Sequence, residues 1–262
     1  MSNTQVQKIK NESGIDFVPA DKLQNRGEMI DAAIQREAQE VQAQIVSAKR
    51  FPRDEDLAVE KIMKACKRRG LAENAVYSYP KGGTTVTGAS IRLAEQLARS
   101  WGNIEFGVRE LEQANGESTM MAFAIDLETN TREAKVFQVK HIRHTKRGDY
   151  ELTDPREIYE LCANNAARLL RSCILSIIPI DIVEDAVAEC EKTLLDGDKE
   201  PLAQRIDKMT KAFKEYEVTQ QMIEARLGHD INATTEHELV NLKKIYASLR
   251  DSMTKVEDHF GK

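Results

Sequence analysis

Cysteine and aromatic residues are scarce in this chain, and the scarcity is informative. Only four cysteines, one tryptophan and 5% aromatic residues are spread over 262 positions. Cys66, Cys162, Cys173 and Cys190 form no C-x-x-C pair and fall in helix-like stretches, so they read as reduced core thiols and not as a disulfide framework. No run of 18 apolar residues offers a membrane-spanning helix. The opening Met-Ser-Asn-Thr-Gln lacks the charged-then-apolar layout of a secretory signal, and a cytoplasmic location is expected.

A surplus of positive charge is lacking too. Against 43 acidic side chains stand 38 basic ones, a net charge of -5, so no global field announces nucleic acid. The acid is concentrated: residues 151–200 carry 12 acidic and 5 basic groups. A further absence concerns nucleotides. Gly83-Thr84-Thr85-Val86-Thr87-Gly88-Ala89-Ser90 has the outline of a phosphate-cradling loop, but Ala89 stands where the essential lysine belongs. Nucleotide hydrolysis is therefore not expected, and the stretch reads as a strand end followed by a helix cap. His141 and His144 have no accompanying cysteine or carboxylate cluster, which argues against a metal site and against a cofactor of that kind. Asp181, Glu184, Asp185, Glu189 and Glu191 imitate a nuclease carboxylate set, yet along a helix the last two diverge from the first three, as on a solvated face.

What is present orders itself into an α+β chain. Residues 20–48 are rich in good helix formers with a thin apolar stripe at Met29, Ala33, Ala38, Val41 and Ile45, so residues 1–50 are expected as a helical arm. A helix from Asp54 to Arg69 should turn Leu57, Ile62, Met63 and Cys66 inward and stop at Gly70. Residues 76–80 and 84–87 flank Lys81-Gly82-Gly83 as a hairpin. A helix over 89–101 follows, burying Ile91, Ala94, Leu97, Ala98 and Trp101. Alternating residues then predict a three-stranded meander, with Asn115-Gly116 as its first turn and a third strand over 134–142. Asp154-Pro155-Arg156-Glu157 opens a long helix that Pro179 ends. The core is expected over 51–196, Gly197-Asp198-Lys199-Glu200-Pro201 is the best linker, and 201–262 read as a separate three-helix unit with a capping pair at Thr235 and Glu238.

Positive charge is local. Residues 131–147 hold Arg132, Lys135, Lys140, Arg143, Lys146 and Arg147 against Glu133 alone, ending a strand and entering a loop with Tyr150. Such a run is usually solvated surface, but the mixture also suits backbone phosphates and base stacking. Arg168 and Arg171 lie on the polar stripe of the long helix and need an anionic partner, either a carboxylate or a phosphate. Arg92 on the preceding helix, Lys81 in the hairpin and Lys67-Arg68-Arg69 could extend the same surface.

The order of these parts resembles the RecT and Red beta family of phage single-strand annealing proteins. The stretches that carry the likeness are Val86-Thr87-Gly88 leading into residues 91–102, then Met121-Ala122-Phe123-Ala124-Ile125-Asp126-Leu127, and residues 162–171 running to Ile178-Pro179. The resemblance covers about residues 55–195 in pattern, with the tail similar to helical C-terminal units of some members. It implies a sheet-on-helix core, ring or helical homo-oligomers, and single-stranded DNA held along a basic groove in the cytoplasm of a bacterial host. It also implies a 5'-to-3' exonuclease and a host single-strand-binding protein as partners, with no covalent catalysis. Lys135, Lys140, Arg143, Lys146, Arg147, Arg168 and Arg171 are the expected backbone contacts. Lys67, Arg68, Arg69, Lys81 and Arg92 come second, with Tyr150 as a stacking candidate. Two rivals remain open: a non-enzymatic adaptor with an incidental basic surface, and a metal-dependent nuclease using Asp181, Glu184 and Asp185.

Overall fold

The computed structural model describes residues 35–36, 38–81, 84–145, 148–195, 200–251 and 253–261. Contacts divide the chain into two units, Met1–Ser47 and Ala48–Lys262. Within the first, residues 38–47 are helical and Arg36 pairs with Glu40 one turn on, at 2.9 Å. The expected helix over 20–34, with Met29 and Ala33, lies outside the described residues.

The second unit is α+β, as composition and periodicity predict. It begins with α1 (Glu55–Cys66) and α2 (Arg69–Ala75), followed by a hairpin of β1 (Val76–Lys81) and β2 (Thr84–Ala89), and by α3 (Ile91–Trp101). The meander is β3 (Ile104–Ala114), β4 (Glu117–Asp126) and β5 (Thr131–Lys140), antiparallel, with β4 in the middle. A second hairpin, β6 (Ile142–Thr145) and β7 (Gly148–Glu151), precedes α4 (Pro155–Ile177) and α5 (Ile180–Leu195). The C-terminal helices are α6 (Leu202–Phe213), α7 (Gln220–Leu227), α8 (Glu236–Arg250) and the short α9 (Val256–Phe260).

Local chemistry explains most boundaries. Asp54 accepts from the Leu57 amide, Ser90 from Leu93 and Asp154 from Arg156, so α1, α3 and α4 each start on a side-chain cap. Thr235 and Glu238 close a reciprocal capping box on α8. Asn115 and Gly116 both have positive φ (54° and 75°), the conformation a tight two-residue hairpin turn requires.

The meander lays one face on α4. The residues of β4 on that face include Ala122 and Ala124, both fully buried, and their small size lets the helix approach until Cys173 Sγ reaches the Ala122 carbonyl at 3.6 Å. Around that contact the main core gathers Ile62 and Cys66 of α1, Leu93, Leu97 and Trp101 of α3, Ile174 of α4, and Cys190 of α5. A second core forms around Phe213, Ile223, Leu239, Leu242 and Ile245 in the C-terminal helices.

Four expectations are corrected. Gly70 does not end a helix; Arg68, in an extended conformation, breaks α1 from α2, and Gly70 lies inside α2, which buries Ala72 and Ala75. Leu57 is exposed, because the inward stripe of α1 runs through Ala58, Ile62, Ala65 and Cys66, and a residue one step from that stripe is turned about 100° away. The loop expected around Tyr150 is the β6–β7 hairpin, and Ile142 belongs to it and not to β5. Residues 201–262 are not set apart: α8 covers the outer edge of β1, and its Val240 belongs to the main core. The linker residues 197–199 lie outside the described residues.

The edge covering rests on one serine. Ser248 Oγ, fully buried, accepts from the Ser78 amide at 2.9 Å and donates to the Ser78 carbonyl at 2.6 Å, closing backbone groups that an uncovered edge strand would leave open. Ser248→Val should therefore lower stability by about 2–3 kcal/mol, since both groups lose their partner while staying buried. Urea denaturation measures it, and an unchanged midpoint would show that water reaches this edge.

Candidate nucleic-acid interface

The expected basic residues divide according to strand parity and local pairing. Lys135 lies on the face of β5 that packs on α4, where its Nζ donates to Ser172 Oγ at 2.6 Å and stands 3.8 Å from Glu133. Lys140, five positions on, faces the opposite side of the sheet; it is exposed, beside Glu117 and Glu151 in a shallow hollow. Arg143 on β6 pairs with Glu157 at 3.0 Å and bonds Tyr150, its cross-strand partner, which pushes its guanidinium above the usual arginine range. Lys146 and Arg147 lie outside the described residues, as does the side chain of Lys81. Lys67 stands 4.0 Å from Glu189, Arg68 donates to Gln96 at 3.1 Å, and Arg69 meets Glu73 at 3.3 Å. Among the described residues, Lys135 and Lys140 therefore do not line one groove, because they stand on opposite faces of one strand.

A different group of cations converges. On α4, Asn164, Arg168 and Arg171 recur at four-and-three spacing and line one wall of a cavity of about 270 Å³. From α3 comes Arg92, from β1 Tyr77, and from the end of α8 Arg250, Asp251 and Met253. The neighbouring Asn165 instead donates to the Leu161 carbonyl of its own helix.

Each wall is set by its local chemistry. The guanidinium carbon of Arg171 lies 4.4 Å from the centroid of the Tyr77 ring, a cation–π geometry, and Nη1 is 3.2 Å from Met253 Sδ. The Tyr77 ring can lie there because its cross-strand partner is Gly88, where a Cβ would come within 2.8 Å of the phenolic oxygen. Gly88 thus makes room for the Tyr77 ring on the hairpin surface. Arg92 Nη1 donates to both Asp251 oxygens, at 3.0 and 3.1 Å, and Arg250 Nε donates to Oδ1 at 2.9 Å. Arg250 Nη1 also bonds Asn74 Oδ1. Burial alone would raise the Asp251 carboxyl, but the hydrogen bonds from Arg250 and Arg92, with their charges, hold it below the usual aspartate range. Arg168 is exposed and has no ion-pair partner among the described residues.

Four arginines thus line the cavity with one carboxylate, which Arg92 and Arg250 hold, and an anion entering beside Arg168 finds an exposed guanidinium and a tyrosine ring. Sequence reasoning reached Arg92, Arg168 and Arg171 but missed Tyr77, Arg250, Asp251 and Met253. The readable signal was the spacing of Arg168 and Arg171 on one helix face. The missing one was that a strand 94 residues before and a helix end 80 residues after would close around them.

The histidines have local roles. His141 is buried with Nε2 at 2.8 Å from Ser118 Oγ, and His144 pairs with Asp149 at 2.8 Å. Of the acidic set, Glu191 takes Lys244 at 2.6 Å and Glu189 faces Lys67. Among the described residues no three His, Cys, Asp or Glu side chains gather as a metal site would need. Compared with protein-family models, with curated proteins and with solved structures, the chain matches none.

Proposed function

We propose that this protein binds single-stranded DNA and pairs it with its complement without ATP, as the likeness to the RecT and Red beta family implies. The observation that carries the reading is the convergence of Arg92, Arg168, Arg171 and Arg250 beside Tyr77, a charge-and-ring combination suited to a phosphodiester and the base next to it. Pairing itself is downhill by about 1.4 kcal/mol per base-pair step, so the protein needs no fuel. What must be overcome is repulsion between two phosphate backbones. One such pocket on each protomer of a ring or helical homo-oligomer would place cations at intervals along both strands. Exchange with a 5'-to-3' exonuclease and with a single-strand-binding protein in the host cytoplasm belongs to the same proposal.

The test is a labelled oligonucleotide titrated with the full chain over a range of salt. Two to four phosphate contacts in this pocket predict a log-log slope between about -1.4 and about -3 per protomer for single strands. In the same buffer, two complementary oligonucleotides should pair faster with protein than without it, with no nucleotide added and strand lengths unchanged. Absent or salt-insensitive binding would favour the adaptor reading, and shortened strands in magnesium or manganese would favour the nuclease.

A further inference from the structure

The carboxylate in this pocket is out of place by local rules. Asp251 caps the C-terminal end of α8, where the helix already exposes partial negative charge and a cation is the favoured neighbour. It is largely shielded from water, its side chain 15% exposed, and both of its oxygens are held by arginines from two different elements. Two oxygens gripped by guanidinium groups is also how arginine takes a phosphate. Arg92 and Arg250 are thus already engaged by an anion of the protein itself, whereas Arg168, on the α4 wall, has no such partner among the described residues.

Resting on the reading of this pocket as the DNA-phosphate site, we propose that Asp251 is a built-in competitor for that phosphate. A strand enters at Arg168 and must displace the Asp251 carboxylate to gain Arg92 and Arg250. The consequence is moderated affinity. Each protomer grips a strand with fewer cations than it owns, and releases it readily when the carboxylate returns. A surface that has to hold strands, let them test partners and let the duplex go benefits from that reversibility.

The experiment uses the full chain and a labelled single-stranded oligonucleotide, comparing wild type, Asp251→Asn, Asp251→Glu and Arg168→Ala by fluorescence anisotropy. Asp251→Asn should lower Kd about five-fold, the factor for removing one like charge about 4 Å from a phosphate in a water-like dielectric. Its log-log salt slope should steepen by about 0.7 for each phosphate contact released. Asp251→Glu keeps the charge and should stay near wild type, and Arg168→Ala should raise Kd. An Asp251→Asn protein that binds no tighter, while Arg168→Ala still weakens binding, overturns the competitor and leaves the pocket as the DNA site. Unchanged binding by Arg168→Ala removes the pocket reading and the competitor with it. Because Asp251 also ties α8 to α3, circular dichroism and stoichiometric titration fix the folded, binding-competent fraction of each variant before Kd values are compared.

Discussion

Arg53→Ala should cost the folded protein about 3–5 kcal/mol, the range for stripping one member from a buried ion cluster. Arg53 is 7% exposed and serves two carboxylates at once: Nη2 reaches Asp126 Oδ1 at 2.6 Å and Nε reaches Glu128 Oε1 at 2.8 Å. Its guanidinium also lies over Trp101, 5.1 Å from the ring centroid. Glu128 receives the Arg53 amide at 2.9 Å and Asn103 Nδ2 at 2.7 Å, and Asp126 receives the amides of Glu128 and Thr129. One side chain therefore fastens the β4–β5 turn to the segment before α1 and to the end of α3. Its removal leaves Asp126, 5% exposed, without its cation. Burial would push the Glu128 carboxyl up, but the bonds from Asn103 and Arg53 prevail and hold it below the usual glutamate range. Because this folded pKa is depressed, the stability it contributes is full above the unfolded value of about 4.3 and is lost as pH falls through the folded value. Urea midpoints from neutral pH down through that window should therefore fall less steeply for Arg53→Ala than for wild type. A variant within 1 kcal/mol of wild type at neutral pH, with the same acid slope, would mean that water already screens these carboxylates in the folded chain.

Neither Arg53 nor its partners stood out in the sequence, and the reason is general to this protein. Features that depend on near neighbours were legible. Asp154-Pro155 opens α4, Asn115-Gly116 turns β3 into β4, and Thr235 with Glu238 starts α8, each where the local chemistry put it. Features that depend on which distant element arrives were not. Arg92 finds Asp251 across 159 residues, Arg53 finds Asp126 across 73, and Ser248 finds Ser78 across 170. Within the basic run over 131–147 the division of Lys135 from Lys140 has a different reason, since the information was there to be used. In a strand, positions 135 and 140 differ by an odd number and face opposite ways. Density of charge along the chain was read as density of charge in space. On α4 the same inference held because Arg168 and Arg171, three apart on a helix, do share a face. Carboxylates were also placed too coarsely: the acid counted in 151–200 includes Glu157, which holds Arg143.

The boundary drawn at residue 201 leads to the other large effect. Phe213→Ala should lower stability by about 3–5 kcal/mol, because the ring is fully buried and packs edge-on against Tyr246 and Phe260, with centroids 5.7 and 5.4 Å away. A separable C-terminal domain would absorb that loss alone and unfold first, leaving the α+β core with its own unchanged transition. The structure predicts one transition, shifted as a whole. Helix α8 is shared between the cores: Leu239, Leu242, Ile245 and Leu249 belong with Phe213, whereas Val240 belongs with Leu97 and Ile174. From that helix Lys244 reaches Glu191 on α5, and Lys243 reaches Glu73 on α2, at 2.6 and 3.0 Å. Loosening the packing beneath α8 therefore also disturbs Ser248 on the β1 edge, and Arg250 and Asp251 in the arginine pocket. Urea denaturation followed both by the lone Trp101, which lies in the α+β core, and by far-ultraviolet circular dichroism distinguishes the two cases. Coincident curves displaced together support the shared helix. A tryptophan transition that stays in place while the helical signal melts earlier would show that the C-terminal helices fold apart from the sheet.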